Sequence, residues 1–468
     1  MVFSSMVFLW IFFPIVFVAS LIIRKPKYQN ILLLIASLLF YAWGEPRYIF
    51  LLLFSITMNW AFGLLIDRFR DHAKVLLVGN VCINLGLLGY YKYANFAINT
   101  VNRLFHADIP AVQVTLPIGI SFFTFQAMSY VIDLYRKKYP VQKNLLHLAL
   151  YVSFFPQLIA GPIVMYRDIE TQIMGRKQSV EKMTSGMRRF LYGLGKKVII
   201  ANLTAAVCDN LYNLGAEDLT GGMAWLAAIA YTLEIYYDFS GYSDMAIGLG
   251  RMFGFEFLEN FTLPYISRSI REFWRRWHIS LGAWFRDYVY IPLGGNRKGK
   301  VRTYVNLAIV FALTGLWHGA AWNFVGWGVF HGFFIIMERM GFSKFLDRHR
   351  IFSHVYTILI FVVGWVFFRV TSVREGFAVL LRMFVPWKFT SAPYPVGTQV
   401  SILGALAVIL GLIGCGPLQC LFQTGKLKKV GDGWKNSVWE AIWLTVILVY
   451  SIMLLANNTY NPFIYFRF

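Results

Sequence analysis

The sequence contains little charge and little cysteine. Only 14% of its 468 residues are charged, whereas about one quarter of the residues in a soluble domain are charged. This low charge favours a membrane protein over a soluble enzyme, and it excludes a disordered chain, a coiled coil and a nucleic-acid-binding module. The four cysteines show no C-x-x-C spacing. Their pattern therefore excludes a secreted disulfide scaffold and a zinc knuckle.

Acidic residues are scarcer than basic ones, with 23 Asp and Glu against 44 Lys and Arg, so the net charge is +21. The basic residues cluster between apolar stretches, as is typical of the cytoplasmic loops of membrane proteins. We therefore attribute the positive charge to membrane topology and not to nucleic-acid binding. Several uncharged stretches exceed the roughly 20 residues that a membrane-spanning helix needs. The uncharged stretches are residues 1–23, 48–66, 109–132, 303–337, 389–425 and 441–466.

The order of apolar and basic stretches predicts a membrane topology. The first apolar stretch precedes its basic residues, Arg24 to Lys27, which predicts an uncleaved first helix with its N-terminus outside. The stretch 303–337 is long enough for two spans. Pro156 and the pair Gly161-Pro162 predict a broken or re-entrant helix, because irregular backbone in a membrane must be buried in protein or line a cavity. The whole chain, residues 1–468, is predicted to be one all-α multi-pass membrane domain with about 11 transmembrane or re-entrant helices.

Residues 266–302 form the longest predicted non-spanning segment and contain nine basic and two acidic residues. Seven aromatic residues lie between Phe273 and Tyr290. Basic and aromatic side chains together are typical of an amphipathic helix at the membrane interface. A second interpretation, compatible with the first, is a cytoplasmic binding site for a phosphate-rich donor such as a coenzyme A or phosphopantetheine thioester. Its phosphates would be bound by Arg275, Arg276 and Arg286.

His278 follows two of these arginines in the sequence Arg275-Arg276-Trp277. If the segment were one continuous helix, the imidazole would share a face with Trp274 and Arg275. The neighbouring guanidinium groups would then lower the pKa of the imidazole and favour its neutral form. On local sequence alone, the simpler interpretation is a histidine on an amphipathic surface.

His318 gives the sharper signal, because it lies inside the uncharged stretch 303–337. An ionisable side chain at membrane depth is costly and by default indicates a functional site. Gly315 and Gly319, four residues apart, would let another backbone or a thin substrate approach closely. A neutral histidine there would act as a general base that takes a proton from a hydroxyl attacking an activated acyl group. The alternative is a histidine that is hydrogen-bonded between helices.

A zinc site formed by His278, His318 and His331 is conceivable, because three protein ligands and a water are typical of catalytic zinc. The spacing of the three histidines matches no known zinc motif, and no acidic residue is adjacent to them. We therefore predict that the protein binds no metal.

Three carboxylates, those of Glu234, Asp238 and Asp244, lie in a segment that continues an apolar stretch. Glu234 and Asp238 are four residues apart and would share one helix face. Buried carboxylates need cationic partners, and the arginines between residues 268 and 286 are the expected ones. Structural ion pairs are the favoured interpretation, with direct substrate contact at Asp238 as the alternative.

Four motifs in the chain are distinctive in combination: RRWHISLGAWFRDYVYIPLGG, LTGLWHGAAWNFVGWG, YYDFSGYSDMAIG and the terminal NPFIYFRF. Together they resemble the membrane-bound O-acyltransferase family, in particular its bacterial alginate O-acetyltransferase branch. The resemblance covers roughly residues 40–468 and implies a ring of tilted helices around a central tunnel. It also implies that His318 is the catalytic histidine and that His278 is the family's second histidine, with Trp317 and Trp322 lining the tunnel.

The same resemblance implies a function in the bacterial inner membrane. The protein would take an acyl group from a thioester donor in the cytoplasm. The group would be acetyl, the donor would be acetyl-CoA, and no bound cofactor would be needed. The group would pass outward to a periplasmic or membrane-anchored partner resembling SGNH hydrolases, for O-acetylation of an exported polysaccharide such as alginate. Membrane lipid is an expected partner and nucleic acid is not.

Two other functions remain open at this point. One is a proton-coupled transporter or flippase of a glycan or lipid-linked intermediate, in which His318 and the carboxylates of residues 234–244 would form a proton relay. The other is alanyl transfer from a carrier protein, as in teichoic-acid alanylation.

Overall fold

The computed structural model describes residues 1–391, 393–423, 433–434 and 437–457. Within these ranges the chain forms helices joined by turns and loops, and it contains no β-strand. The prediction of an all-α protein is therefore confirmed. The terminal motif NPFIYFRF and most of the basic stretch 426–435 lie outside the described residues.

The helices are numbered in chain order, and several are interrupted or extended by single turns of π-helix. The α-helices are α1 Phe13–Ile22, α2 Pro26–Gly44, α3 Ile49–Arg68, α4 Ala73–Leu88, α5 Ala94–Phe105, α6 Ile120–Tyr135, α7 Leu145–Ser153, α8 Phe155–Leu158, α9 Tyr166–Gly175, α10 Val180–Gly195, α11 Asn202–Tyr212, α12 Gly221–Met252, α13 Ile270–Arg276, α14 Ile279–Phe285, α15 Gly299–His318, α16 Trp322–Met337, α17 Ser343–Arg348, α18 Arg350–Arg369, α19 Val373–Phe384, α20 Val396–Gln399, α21 Ile402–Gly414, α22 Pro417–Gln423 and α23 Val438–Asn457.

Five helices in the described part of the chain are long and apolar enough to cross a membrane, judged by length and composition. Two shorter helices, Phe8–Ile22 and Ile402–Gly414, are also apolar. These helices support a membrane protein, while the total of about 11 spanning or re-entrant helices stays a prediction. The five long helices are Ile49–Arg68, Arg70–Phe105, Val180–Tyr212, Arg350–Arg369 and Val438–Asn457.

The chain divides into two compact units. The first consists of Met1–Phe190 and Ser243–Leu258, and the second of Leu191–Tyr242 and the described residues from Glu259 onward. The first unit contains the predicted break near Pro156. There α7 ends at Ser153, and α8 is a single turn with proline near its start, so the broken-helix prediction is confirmed.

The second unit contains a tight helical hairpin formed by α15 and α16. The uncharged stretch 303–337, predicted as two spans, forms these two helices with only three residues between them. A methyl group added to Gly315 would overlap the carbonyl oxygen of Phe324, and one added to Gly328 would overlap the carbonyl oxygen of Phe311. The glycines therefore allow the two backbones to touch, which fixes the position of His318 at the end of α15.

The basic segment that precedes the hairpin forms two short helices, α13 and α14, and not one continuous helix. The helix α13 ends at Arg276, and His278 has left-handed backbone angles, with φ of 45°. The prediction that His278 shares a helix face with Trp274 and Arg275 is therefore wrong. The reason is that residues 260–262 form backbone hydrogen bonds on both sides of His278, in place of the bonds that a continuous helix would form there. The N–H of Thr262 donates to the carbonyl of Arg276 (2.9 Å), and the N–H of Ile279 donates to the carbonyl of Asn260 (3.0 Å).

Two side chains fix the start of α13, the hydroxyl of Ser269 and the carboxylate of Glu338. The Ser269 hydroxyl accepts a hydrogen bond from the N–H of Glu272 (3.0 Å), as in a helix N-cap. The carboxylate of Glu338, just after α16, accepts from the N–H groups of Ile270 (2.6 Å) and Arg271 (3.0 Å). This contact joins α13 to the end of the hairpin and so positions the arginines that follow.

Candidate functional site

The imidazole of His278 is buried in the second unit, with 1% of the residue exposed. Its Nδ1 lies 3.3 Å from the amide oxygen of Asn260. The ring of Phe239, from α12, packs edge-on against it with centroids 4.6 Å apart. His278 is therefore held between α12 and the start of α14 and is not on an exposed amphipathic surface.

His318 is the last residue of α15 and is also buried, with 5% of the residue exposed. Its ring lies 5.1 Å from that of Trp327 and 5.2 Å from that of Phe368. Its centroid is 6.3 Å from that of His278. The structure thus brings together the two histidines that are 40 residues apart in the sequence.

The two tryptophans singled out in the sequence have different environments. Trp317 is 3% exposed, and its ring lies 5.9 Å from His278 and 5.0 Å from His318. It therefore forms a wall beside both histidines. Trp322, the first residue of α16, is 52% exposed.

A cavity of about 490 Å³ opens beside His278. Four arginines contribute to its lining: Arg271, Arg275, Arg286 and Arg339. The rest of the lining is largely apolar and comes from α13 to α16. It includes Trp274, Leu281, Phe285, Leu307, Val310, Phe311 and Ile335. The cavity therefore combines positive charge with an apolar surface, which suits an amphiphilic anion.

The arginines differ in whether the protein already provides a counter-ion. Arg286 pairs with Asp287 (2.8 Å). Arg276, predicted with the others from the sequence, pairs with Glu272 (2.9 Å) and is not part of the cavity lining. Among the described residues, no carboxylate forms an ion pair with Arg271, Arg275 or Arg339. The guanidinium groups of Arg275 and Arg339 are therefore available to an anionic ligand, while the charge of Arg271 also acts on the nearby carboxylate of Glu338.

Arg271 and Arg339 were missed as site residues by the sequence reasoning. Arg271 belongs to the basic segment 266–302, whereas Arg339 lies in a separate run of basic residues, 339–350, that follows the uncharged stretch 303–337. Their common cavity depends on the contact between Glu338 and the first turn of α13. Sequence spacing does not reveal that contact.

Burial lowers the pKa of His278 to about 3. The direction agrees with the sequence prediction, but its main cause is loss of water and not the neighbouring arginines. An imidazole with this pKa is neutral at physiological pH, so it can accept a proton or a hydrogen bond.

The three histidines considered as a zinc site do not bring their ligand atoms together. His331 is fully buried in α16 and packs against Trp327 (5.1 Å) and Trp274 (5.3 Å). Within the described part of the chain, the group whose possible ligand atoms converge, all within 4.8 Å, is Cys208, Asp209 and Glu234. The Arg369 guanidinium lies 2.7 Å from Asp209 and already supplies a positive charge there.

The carboxylates of α12 do not pair with the arginines of residues 268–286, so that prediction is wrong. Asp238 pairs with Lys197, and both side chains are 3% exposed. The physical reason is a close contact between α12 and the end of α10. A methyl group added to Gly241 would lie only 2.8 Å from the carbonyl oxygen of Gly193, which brings Asp238 to Lys197. In the first unit, Asp244 pairs with Arg189 (2.8 Å).

Comparison with known proteins gives consistent matches to acyltransferases. The model of the membrane-bound O-acyltransferase family matches residues 136–374. The probable alginate O-acetylase AlgI of Pseudomonas putida is 41% identical over 490 aligned residues, which cover 100% of both chains. The peptidoglycan O-acetyltransferase of Helicobacter pylori is 34% identical over 82% of this chain and 80% of its own. The teichoic acid D-alanyltransferase of Bacillus subtilis is 28% identical over 46% of this chain and 56% of its own.

Proposed function

The chain belongs to the membrane-bound O-acyltransferase family, and we propose that it moves an acetyl group from a cytoplasmic thioester towards an exported polysaccharide. The chain is thus an acyltransferase and a membrane protein. Full-length similarity to probable alginate O-acetylases supports a polysaccharide such as alginate as the final acceptor. The observation that carries the proposal is buried His278 in the lining of an arginine-rich cavity, with the ring of buried His318 centred 6.3 Å from its own.

The proposed donor is acetyl-CoA or another acyl thioester that carries phosphate. Arg275 and Arg339 form no ion pair with a carboxylate among the described residues, and Arg271 has only the carboxylate of Glu338 in its vicinity. Guanidinium groups bind phosphate with paired hydrogen bonds. The apolar part of the cavity would accommodate the pantetheine chain and direct the thioester towards His278. Arg286 would add charge at the rim, and Arg276 is the least suited of the predicted arginines because Glu272 already holds it. No bound cofactor is required.

The proposed chemistry is base-assisted acyl transfer. His318 would take the proton from the acceptor hydroxyl as its oxygen attacks the thioester carbonyl. The new C–O bond would form, the C–S bond would break, and the departing thiolate would take the proton from the imidazolium. His278 would position the thioester or assist this proton movement, and Trp317 would keep water away from both histidines. The buried ion pair of Asp238 supports a structural role for that residue.

The membrane arrangement is also part of the proposal. A ring of about 11 spanning or re-entrant helices around a tunnel, in a bacterial inner membrane, would let donor and acceptor reach His318 from opposite faces. Trp322, half exposed at the start of α16, would line the tunnel beyond Trp317. A periplasmic or membrane-anchored partner resembling SGNH hydrolases would then place the acetyl group on the polymer.

Purified protein in liposomes tests this function directly. Labelled acetyl-CoA is supplied on one side, and transfer of label to a hydroxyl acceptor is measured for the wild type, His318→Ala and His72→Ala. His72 is exposed in a short turn and serves as the matched control. We expect transfer by the wild type and the control, and loss of at least about 100-fold with His318→Ala because the general base is absent. Transfer that persists in the His318 variant would remove His318 from the mechanism.

Carrier-dependent alanyl transfer is a second candidate, because part of the chain is similar to teichoic acid D-alanyltransferases. The same liposomes, supplied with alanyl-charged carrier protein in place of acetyl-CoA, distinguish the two donors. Membership of an acyltransferase family favours either reaction over the transporter interpretation, which predicts movement of a glycan that depends on the proton gradient and no transfer of label.

A further inference from the structure

Asn260 is a buried residue outside every motif used so far, and its amide oxygen forms the centre of a small hydrogen-bond network. The residue is fully buried and begins the segment 260–262, whose backbone pairs with Arg276 and Ile279. Its amide oxygen accepts from the N–H of Ser280 (3.2 Å) and lies 2.9 Å from the Ser280 hydroxyl. The Nδ1 atom of His278 lies 3.3 Å from the same oxygen.

The backbone determines which end of the amide faces this network. The N–H of Ser280 can only donate a hydrogen bond, so it requires the amide oxygen and excludes the amide nitrogen at that position. An amide oxygen carries no proton. The contact with Nδ1 of His278 is therefore a hydrogen bond only if the imidazole proton is on Nδ1.

A proton on Nδ1 fixes the chemistry of the opposite nitrogen. In a neutral imidazole one nitrogen donates and the other accepts, so Nε2 then carries a lone pair. Within the described residues, Nε2 of His278 is buried and has no hydrogen-bond partner. His278 lines the cavity, and its ring faces Trp317 and His318 at 5.9 and 6.3 Å between centroids.

We propose that Asn260 is a positioning residue that holds the proton of His278 on Nδ1, so that Nε2 presents a lone pair to the reacting groups. This inference rests on the proposed acyl transfer. In that reaction Nε2 would accept a proton or a hydrogen bond beside His318. Asn260 itself touches no substrate and acts only through His278, in the manner of groups that orient a histidine from behind.

Two substitutions isolate this role. Asn260→Leu removes the acceptor and keeps the approximate volume of the side chain. Asn260→Asp keeps an acceptor oxygen at the same position. The matched control is Asn306→Leu, because Asn306 is another fully buried asparagine, whose amide donates to the carbonyl of Gly295 (2.9 Å) away from His278. The control reports the effect of removing a buried amide as such.

The experiment combines a spectroscopic and a kinetic measurement on the full-length protein in liposomes. Nitrogen-15 chemical shifts of labelled histidine report the protonated nitrogen, and the His278 signal is identified by its loss in His278→Gln. We expect the Nδ1–H form in the wild type and in Asn260→Asp, and a mixed or Nε2–H form in Asn260→Leu. In the acetyl-CoA assay, kcat of Asn260→Leu should fall by roughly 10–100-fold, while KM for the donor stays within about twofold, since Asn260 makes no donor contact.

Three results would overturn the inference. They are an Nε2–H form in the wild type, an unchanged tautomer in Asn260→Leu, or a changed tautomer with unchanged kcat. If Asn260→Leu does not fold, an Nε2–H form in Asn260→Asp would overturn it equally. If the wild type transfers no acyl group, the proposed function fails and with it the catalytic role of Asn260. In that case the tautomer measurement still shows whether Asn260 holds the proton of His278 on Nδ1. Failure of the proposed function and failure of this inference can therefore be distinguished.

Discussion

Lys197 and Asp238 form an ion pair in which both side chains are 3% exposed. Lys197 lies in the π-helical turn Lys196–Ala201 that joins α10 to α11, and Asp238 lies in the middle of α12. A fully buried ion pair contributes little net stability, but removal of one partner leaves an uncompensated charge.

The first prediction concerns this pair. Lys197→Met should destabilise the protein by about 3–5 kcal/mol, because the Asp238 carboxylate stays buried without its cation. The double substitution Lys197→Met with Asp238→Leu should recover most of that loss. Thermal unfolding in detergent micelles measures both. If the single and double variants unfold at the same temperature, the pair has no energetic coupling.

The second prediction concerns the glycine contact of the hairpin. Gly315→Ala should destabilise the protein by about 1–3 kcal/mol or more, because its methyl group would overlap the backbone of α16 and push the helices apart. Gly326→Ala is the matched control, since nothing lies within 4 Å of its added methyl group. Thermal unfolding and acetyl transfer should both distinguish the two variants. A Gly315 variant as stable as the Gly326 variant would contradict the close backbone contact.

The third prediction concerns the arginines of the cavity. Arg271→Gln and Arg275→Gln should each raise KM for acetyl-CoA by roughly tenfold, because each removes a charge-assisted hydrogen bond to phosphate. Arg276→Gln should leave KM nearly unchanged, since that guanidinium pairs with Glu272 outside the cavity. Initial rates over a range of donor concentrations measure KM. Equal effects of all three substitutions would indicate general surface charge and not a defined phosphate site.

The fourth prediction concerns acid stability. Burial lowers the pKa of His278 to about 3, compared with about 6.5 in an unfolded chain. Below pH 6.5 the unfolded state therefore binds more protons than the folded state, so the free energy of unfolding decreases as the pH falls towards 3. Between pH 7.5 and 5 the loss should be about 2 kcal/mol.

His278→Gln provides the comparison for acid stability, because glutamine does not titrate. The unfolding temperature of the wild type should fall more steeply than that of the variant between pH 7.5 and 5. Parallel curves for the two proteins would show that His278 is accessible to water in the folded state.

The sequence predicted the all-helical fold, the hairpin and a histidine at position 318 within it, because each depends on local features. For His278 the local sequence favoured an amphipathic surface, which is wrong, and only the family resemblance selected this residue. The uncharged stretch 303–337, the glycines beside His318 and the basic segment before it are all visible as patterns over a few residues. The family resemblance implies roles for these residues that the patterns alone left open, and those roles stay predictions.

The ion-pair partners and the backbone of His278 could not be predicted, because they depend on contacts distant in the sequence. A continuous helix through His278 is the natural expectation from local pattern. Residues 260–262 interrupt it by pairing with Arg276 and Ile279. Lys197 is 41 residues from Asp238, and no periodicity links them. The shared cavity of Arg271 and Arg339 likewise depends on Glu338, and no local pattern singles out that residue.

The left-handed backbone of His278, with φ of 45°, has a consequence for how this position would change under selection. In the left-handed region of backbone angles, a residue with a β-carbon destabilises the fold by roughly 1–2 kcal/mol, and glycine avoids most of this cost. Glycine would relieve the backbone but would leave a cavity where the imidazole packs against Phe239 and Trp317, which costs more than the backbone gains. Screens for heat-tolerant mutants should therefore retain a side chain of similar size at this residue, in spite of its left-handed backbone.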